Sequence, residues 1–144
     1  MKSVIIGAGT YGEVYLAYLQ EAGIEIVGFL DDDPRYINQK VCGIPVLGGL
    51  DFLACLKDEY DVKAVYCPLG NNKLRVEILN RALGLGYEVP NFIHSTVDIS
   101  PNVEIGKGVY ILLGTHIMPY TKIKNFVMIS MGVNVAHHSI LQLQ

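Results

Sequence analysis

The chain has 144 residues, of which 51% are hydrophobic and 17% charged, and its formal net charge is -3. This composition excludes a disordered chain, and the small negative charge gives no electrostatic basis for binding nucleic acid. No apolar run approaches the roughly 20 residues of a membrane-spanning helix. The N-terminus shows no signal peptide, and the cysteines, Cys42, Cys55 and Cys67, lack metal-ligand spacing. We therefore expect a cytoplasmic protein of one ordinary or two small domains.

The N-terminal segment predicts a phosphate-binding βαβ unit. A strand over residues 2–6 leads into the glycine loop 7–12, a helix ends near Gly23, and a second strand over 24–30 is followed by acids that begin at Asp31. Glycines permit a tight turn and the close approach of a ligand, and the helix N-terminus offers free N–H groups to a phosphate. An acid about 20 residues after the glycines is expected to accept a ribose or base hydrogen bond.

The identity of the ligand stays open at this point. A dinucleotide such as NAD requires two βαβαβ halves, and the α/β part of this chain has room for about one, so a mononucleotide moiety fits better. The alternative is a tight βα turn that binds nothing, because a fold does not imply a function.

Residues 1–90 are predicted to form a Rossmann-like nucleotide-binding or nucleotide-sugar-binding domain with a small, mostly parallel sheet. Residues 41–47 contain a glycine and a proline, so we expect at best a short edge strand there. Residues 62–67 are predicted to form a buried strand. The polar loop 70–72 follows at its carboxyl end, which is the ligand side of an open α/β sheet.

Residues 91–144 carry an aliphatic side chain at every sixth position from Ile93 to Leu141. A period of six fits neither an α-helix nor an alternating strand, and it is the mark of a parallel β-helix. Three six-residue steps close one coil, so side chains eighteen residues apart are predicted to stack. The predicted stacks are Ile93 with Ile111 and Ile129, Ile99 with Ile117 and Val135, and Ile105 with Ile123 and Leu141.

The ordered set of motifs resembles a known family. GAGTYGEV at 7–14, GFLDD at 28–32, GIPVLG at 43–48 and GNNKLR at 70–75 occur in this order before the repeats, which begin at 93–95. The set is similar to the nucleotide-sugar acyltransferases of the sialic acid O-acetyltransferase type, which include N-acetyltransferases acting on UDP-4-amino sugars. The resemblance implies a left-handed β-helix, a homotrimer, a nucleotide-sugar substrate, most simply a UDP-sugar, and acetyl-CoA as the co-substrate.

The resemblance also implies that His137 is the catalytic base. Family members carry a polar residue, a histidine, an acid and then cysteine or serine, whereas this chain has Ala136, His137, His138 and Ser139. Adjacent side chains on a strand point to opposite faces, so the two histidines are not expected to share a metal ion, and no metal site is predicted. The six-residue pattern is lost at residues 142–144, whereas the repeats of family members continue. We therefore expect a truncated β-helix that transfers acetyl groups poorly or not at all.

Two functions remain after the sequence is read. The first is acetyl transfer to an amine or hydroxyl of a nucleotide-linked sugar, and the second is a non-catalytic nucleotide-binding module whose β-helix serves oligomerisation. The residues expected to contact the nucleotide are Gly7, Gly9, Thr10, Tyr11, Gly12, Asp31, Asp32, Gly70, Asn71, Asn72 and Arg75.

Overall fold

The computed structural model describes residues 1–143, so Gln144, the last residue of the predicted second domain, lies outside the described residues. The chain divides into two compact units, one spanning Met1–Val89 and the other beginning at Pro90. Within residues 1–143 there is no helix that is both long and apolar enough to span a membrane.

The first unit is a five-stranded sheet with helices. The strands are β1 (Lys2–Ile6), β2 (Glu25–Leu30), β3 (Lys40–Val41), β4 (Ile44–Gly48) and β5 (Ala64–Tyr66). The helices are α1 (Thr10–Glu21), α2 (Leu56–Tyr60) and α3 (Asn72–Gly84), and short 3-10 helices lie at Pro34–Tyr36 and Leu50–Ala54.

The sheet has the order β3-β4-β2-β1-β5, and every neighbouring pair is parallel except β3 with β4. The side chains of Val4, Ile5 and Ile6 in β1 are buried. A parallel strand covered on both faces is a continuous apolar run, which is why the sequence of this strand does not alternate. The parallel sheet aligns the carboxyl ends of β1, β2 and β5 at one edge, where the glycine loop and the acids emerge.

The expectation of at most a short edge strand over 41–47 is wrong in one respect. The strand β4 pairs in parallel with β2, and the edge is formed by the two-residue β3, which pairs antiparallel with β4. The hairpin between them turns at Cys42 and Gly43, whose φ angles are 50° and 80°. A two-residue hairpin loop favours positive φ at both positions, so the turn folds the chain back and leaves β4 free to join β2.

The second unit is a parallel β-helix built from two-residue strands. Within residues 90–143 these are β6 (Phe92–Ile93), β7 (Asp98–Ile99), β8 (Glu104–Ile105), β9 (Tyr110–Ile111), β10 (His116–Ile117), β11 (Lys122–Ile123), β12 (Met128–Ile129), β13 (Asn134–Val135) and β14 (Ile140–Leu141). They form three parallel sheets, β6-β9-β12, β7-β10-β13 and β8-β11-β14.

The predicted stacking is confirmed residue by residue. Each strand pairs in register with the strand eighteen residues away, as in Ile117 with Ile99 and with Val135. Ile117 is 1% exposed and lies in the apolar core of the coil. Ile99 is 38% exposed, although it stacks as predicted, because its strand β7 is at the end of its sheet and pairs on one side only.

The corners of the coil have a backbone conformation that the repeat pattern did not reveal. From residue 102 to residue 138 every sixth residue has φ between 58° and 73°. These residues are Asn102, Gly108, Gly114, Tyr120, Phe126, Gly132 and His138. The left-handed region suits glycine and asparagine, so the tyrosine, phenylalanine and histidine corners are held there by the coil.

Candidate functional site

The glycine loop presents the start of α1 at the carboxyl end of β1. The helix begins at Thr10 with Gly9 as its N-cap, and the first N–H groups of a helix have no partner within it. A Cβ on Gly12 would stand 2.0 Å from the carbonyl oxygen of Gly7, so Gly12 is required for the close packing of α1 on the turn. A Cβ on Gly9 would meet nothing in the described chain within 4 Å, so the backbone at Gly9 faces open space.

The two acids after β2 are bound to the backbone of their own unit. The Oδ2 atom of Asp31 accepts a hydrogen bond from the amide of Ala8 at 2.8 Å, and its Oδ1 atom accepts one from the amide of Asp33 at 2.9 Å. The Oδ1 atom of Asp32 accepts from the amide of Leu50 at 2.8 Å. Each carboxylate oxygen has two lone pairs, so both acids retain capacity to accept from a ligand.

A pocket of about 170 Å³ opens at this edge of the sheet. It is lined by Ile6, Gly7, Leu30, Asp31, Asp32, Leu50, Leu69 and Leu74. Its wall is mostly aliphatic, with two carboxylates at one side. Pockets that enclose a whole ligand are usually about 300–1,000 Å³, so this pocket suits one part of a larger ligand.

The loop before α3 is ordered by its own side chains. The Oδ1 atom of Asn71 accepts from the amide of Leu74 at 3.0 Å and caps α3. The Arg75 guanidinium donates to the carbonyl oxygen of Leu69 at 2.6 Å and to Oδ1 of Asn72 at 2.8 Å. The side chain of Arg75 is 1% exposed. Arg75 was expected to contact the nucleotide. In the structure its guanidinium lies beneath the loop, where it supports residues 69–72.

The glycine loop and the loop before α3 lie against each other. A Cβ on Gly70 would be 3.5 Å from the ring of Tyr11, and a Cβ on Gly7 would be 2.7 Å from the side chain of Leu69. Tyr11 is 55% exposed and lies beside the loop. The structure therefore brings together the predicted glycines, Tyr11 and the two acids. The aliphatic lining of the pocket was missed, because leucines give no chemical signal in a sequence.

His137 lies on the turn between β13 and β14 and is exposed. Its Nδ1 atom is 2.9 Å from Nδ1 of His138, and the two rings meet edge to face at 5.2 Å. The argument that the two histidines point to opposite faces is wrong, because they lie on a turn and not on a strand. In the described residues no group of three or more His, Cys, Asp or Glu side chains could hold a metal ion.

The ring of His138 stacks on the ring of Tyr120, with 5.1 Å between centroids and 22° between planes. Both residues occupy left-handed corners, one coil apart. The sequence reading did not single out Tyr120. The signal that could have found it is the spacing of eighteen residues, which places corner above corner as it places core above core.

Residues 2–82 match the family model of the PglD N-terminal domain. The chain belongs to the PglD N-terminal domain family. This assignment confirms the recognised family, the nucleotide-sugar acetyltransferases with hexapeptide repeats.

Solved structures extend the likeness over both units. One match is perosamine N-acetyltransferase from Caulobacter crescentus, with a TM-score of 0.85 and 29% identity over 94% of this chain and 62% of its own. That structure is of a variant with one histidine replaced by asparagine, in complex with CoA and GDP-perosamine. The acetyltransferase domain of PglB from Neisseria gonorrhoeae, in complex with acetyl coenzyme A, matches with a TM-score of 0.83 and 29% identity over 96% of this chain and 66% of its own. The chain thus spans less than two thirds of the length of either structure.

An uncharacterised protein of Acanthamoeba polyphaga mimivirus is 31% identical over 112 residues, which is 78% of this chain and 21% of the viral protein. The structural matches confirm the predicted fold, an α/β domain with a mixed, mostly parallel sheet followed by a left-handed parallel β-helix.

Proposed function

We propose that the function of this chain is transfer of the acetyl group of acetyl-CoA to an amine of a nucleotide-linked sugar, with the low rate expected from the sequence of the 144-residue form. The observation that carries the proposal is the match of both units to perosamine N-acetyltransferase, whose structure holds CoA and GDP-perosamine. The second relative was solved with acetyl coenzyme A, which supports the same donor. The geometry of each unit supports a separate part of the reaction.

The pocket at the end of β1 and β2 is proposed to receive the nucleoside. Its aliphatic wall suits a base or ribose, and the remaining lone pairs of Asp31 and Asp32 accept from a ribose hydroxyl or a base N–H. The phosphates are placed at the start of α1, near Thr10, because the amide of Ala8 is already occupied by a carboxylate that repels a second anion. Gly9, which faces open space, lets the phosphates approach the backbone.

His137 is proposed as the general base. Its Nε2 atom takes a proton from the sugar amine as the amine nitrogen forms a bond to the thioester carbonyl carbon. The carbon–sulfur bond then breaks, and coenzyme A leaves as a thiolate that takes up a proton. A positioned base of this kind contributes about 10²–10⁴-fold to the rate. The remaining acceleration comes from holding amine and thioester in reacting geometry.

The proposed assembly is a homotrimer formed through the β-helix. The exposed side chains of Met118, Met131 and Ile140 supply apolar surface for association on this unit. Sedimentation equilibrium checks the proposal, since a trimer gives three times the mass of the 15.9 kDa chain. A mass equal to that of one chain at all concentrations contradicts it.

Ligand-induced stabilisation tests substrate binding. Thermal unfolding is measured with UDP, GDP, a UDP-4-amino sugar, a GDP-4-amino sugar, NADH and acetyl-CoA, each in excess. A ligand at 100 times its dissociation constant adds about 2.7 kcal/mol to the stability of the folded state. We expect stabilisation by acetyl-CoA and by one of the two nucleotide series, the uridine series being the one expected. Gly9→Val should remove the nucleotide effect and leave the melting temperature of the unliganded protein nearly unchanged.

Release of coenzyme A tests catalysis. The amino sugar that stabilises the protein is supplied with acetyl-CoA, and thiol release is compared for the parent and for His137→Ala. Turnover that His137→Ala abolishes supports the proposal. Nucleotide binding without turnover favours a non-catalytic nucleotide-binding module, and stabilisation by NADH alone contradicts the proposal.

A further inference from the structure

We propose that His138 is a positioning residue for the reaction. Its imidazole is stacked on Tyr120, accepts the Nδ1–H of His137 and holds His137 in the tautomer whose Nε2 atom is the base. The inference rests on the proposed acetyl transfer. Its first readout is the tautomer of His137 in the unliganded protein, so the inference and the proposed function can fail separately.

The contact between the two imidazoles restricts their tautomers. The two Nδ1 atoms are 2.9 Å apart, which is a hydrogen-bonding distance, and a neutral imidazole has one N–H and one lone pair. One Nδ1 atom therefore donates and the other accepts. If His137 donates through Nδ1, its Nε2 atom carries the lone pair that a base requires. If His138 donates instead, Nε2 of His137 carries the proton and cannot act as a base.

The backbone of His138 is hydrogen-bonded and lies in a left-handed corner. The amide of His138 donates to the carbonyl oxygen of Pro119 at 3.1 Å, and its φ is 58°. Tyr120 has a φ of 63° at the equivalent corner of the previous coil. Because coils stack in register, the two rings lie face to face at 5.1 Å. The contact between the rings restrains the imidazole of His138, and the amide anchors its backbone.

His137 has less support of its own. It is exposed on the turn, and its ring meets His138 edge to face at 87°. A base exposed to water rotates among rotamers and samples both tautomers unless a partner selects one. Since Nδ1 of His138 lies within hydrogen-bonding distance of Nδ1 of His137, His138 is placed to make that selection.

Two variants of His138 separate its two contacts. His138→Phe keeps a ring for stacking on Tyr120 and removes the nitrogen that accepts from His137. His138→Asn keeps an acceptor oxygen near the position of Nδ1, tolerates a left-handed corner and removes the ring. Two variants of Tyr120 test the stack from the other side. Tyr120→Phe keeps a ring against His138, whereas Tyr120→Ala removes it. Circular dichroism and thermal unfolding confirm that each variant keeps the β-helix.

The first readout is the tautomer of His137, measured by long-range ¹H–¹⁵N correlation of labelled imidazoles at a pH where both rings are neutral. We expect the Nδ1–H tautomer in the parent and in Tyr120→Phe, and a shift toward Nε2–H in His138→Phe. A tautomer of His137 that is the same in the parent and in His138→Phe overturns the proposal, whether or not the protein transfers acetyl groups.

The second readout is the separation of kcat from KM. His138→Phe should lower kcat by about 10- to 100-fold, less than the loss of the base itself, and should leave both KM values within about twofold of the parent values. His138→Asn should recover most of kcat. An equal kcat in the parent and in His138→Phe overturns the proposal. Absence of turnover in the parent refutes the proposed function. The tautomer measurement alone then tests whether His138 accepts the hydrogen bond of His137.

Discussion

The carboxylate of Asp31 accepts a hydrogen bond from the amide of Ala8 at 2.8 Å. The residue that follows β2 therefore fixes part of the glycine loop that follows β1. The second oxygen of Asp31 accepts from the amide of Asp33. The acid therefore ties the glycine loop to the segment 31–33. A carboxylate at this position also disfavours a second anion at the amide of Ala8.

Replacing Asp31 by asparagine should destabilise the first unit. Asparagine has one acceptor oxygen for two amide donors, so its own NH₂ group must face an N–H group. We expect the free energy of unfolding to fall by about 1–3 kcal/mol, measured by urea denaturation. Glu77→Gln is the matched control, because Glu77 is an exposed carboxylate on α3 and its neutralisation should have little effect. Equal midpoints for Asp31→Asn and the parent would show that the two hydrogen bonds contribute nothing.

The glycines of the loop should differ in their tolerance of a methyl group. Gly12→Ala places a Cβ 2.0 Å from the carbonyl oxygen of Gly7, and α1 must move to relieve the clash. We expect a loss of about 1–3 kcal/mol or more from overpacking. Gly9→Ala adds its methyl group to open space, and its effect on stability should stay within about 1 kcal/mol. Thermal unfolding compares the stabilities of Gly12→Ala and Gly9→Ala, and equal melting temperatures would contradict the packing role of Gly12.

The β-helix core should not accept a charge at Ile117. The side chain is 1% exposed between Ile99 and Val135, and Ile117→Asp buries a carboxylate among aliphatic groups. We expect a loss above about 4 kcal/mol or failure of the second unit to fold. The same charge placed on the surface of the coil by Asn134→Asp, at an exposed strand residue, should be tolerated. Circular dichroism on heating measures both, and a parental melting curve for Ile117→Asp would refute the coil register.

The cysteines should differ in reactivity toward iodoacetamide. Burial, the larger cause, raises the pKa of Cys67 to about 12, against smaller lowering effects of a backbone hydrogen bond from Leu69 and of the charge of Arg75. The thiolate is the reactive form, so near pH 8 Cys67 should remain unmodified while the exposed Cys42 reacts. Mass spectrometry of digested protein measures the labelling, and urea-unfolded chain, in which both should react, is the control. Modification of Cys67 at the rate of Cys42 in the folded protein would show that the buried site opens.

The period of six by itself predicted the coil, its register and its core. Ile117 pairs with Ile99 and Val135 because a regular repeat places equivalent residues one above another, whatever the rest of the chain does. The βαβ unit was equally visible, since a glycine loop between a strand and a helix is a local pattern. In both cases the information lies within a short stretch of sequence, and backbone geometry extends it along the chain.

The use of each polar side chain was decided only by the tertiary structure. Asp31, a candidate ligand residue in sequence, meets the amide of Ala8, and the guanidinium of Arg75, another candidate, donates to the carbonyl oxygen of Leu69. His138 was read as pointing away from His137, and a left-handed corner turns it toward that ring. Hydrogen bonds act over about 3 Å, so the partner of a polar group depends on which distant segment the fold brings to it. A sequence pattern shows that such a group is present, and only the folded chain selects its partner.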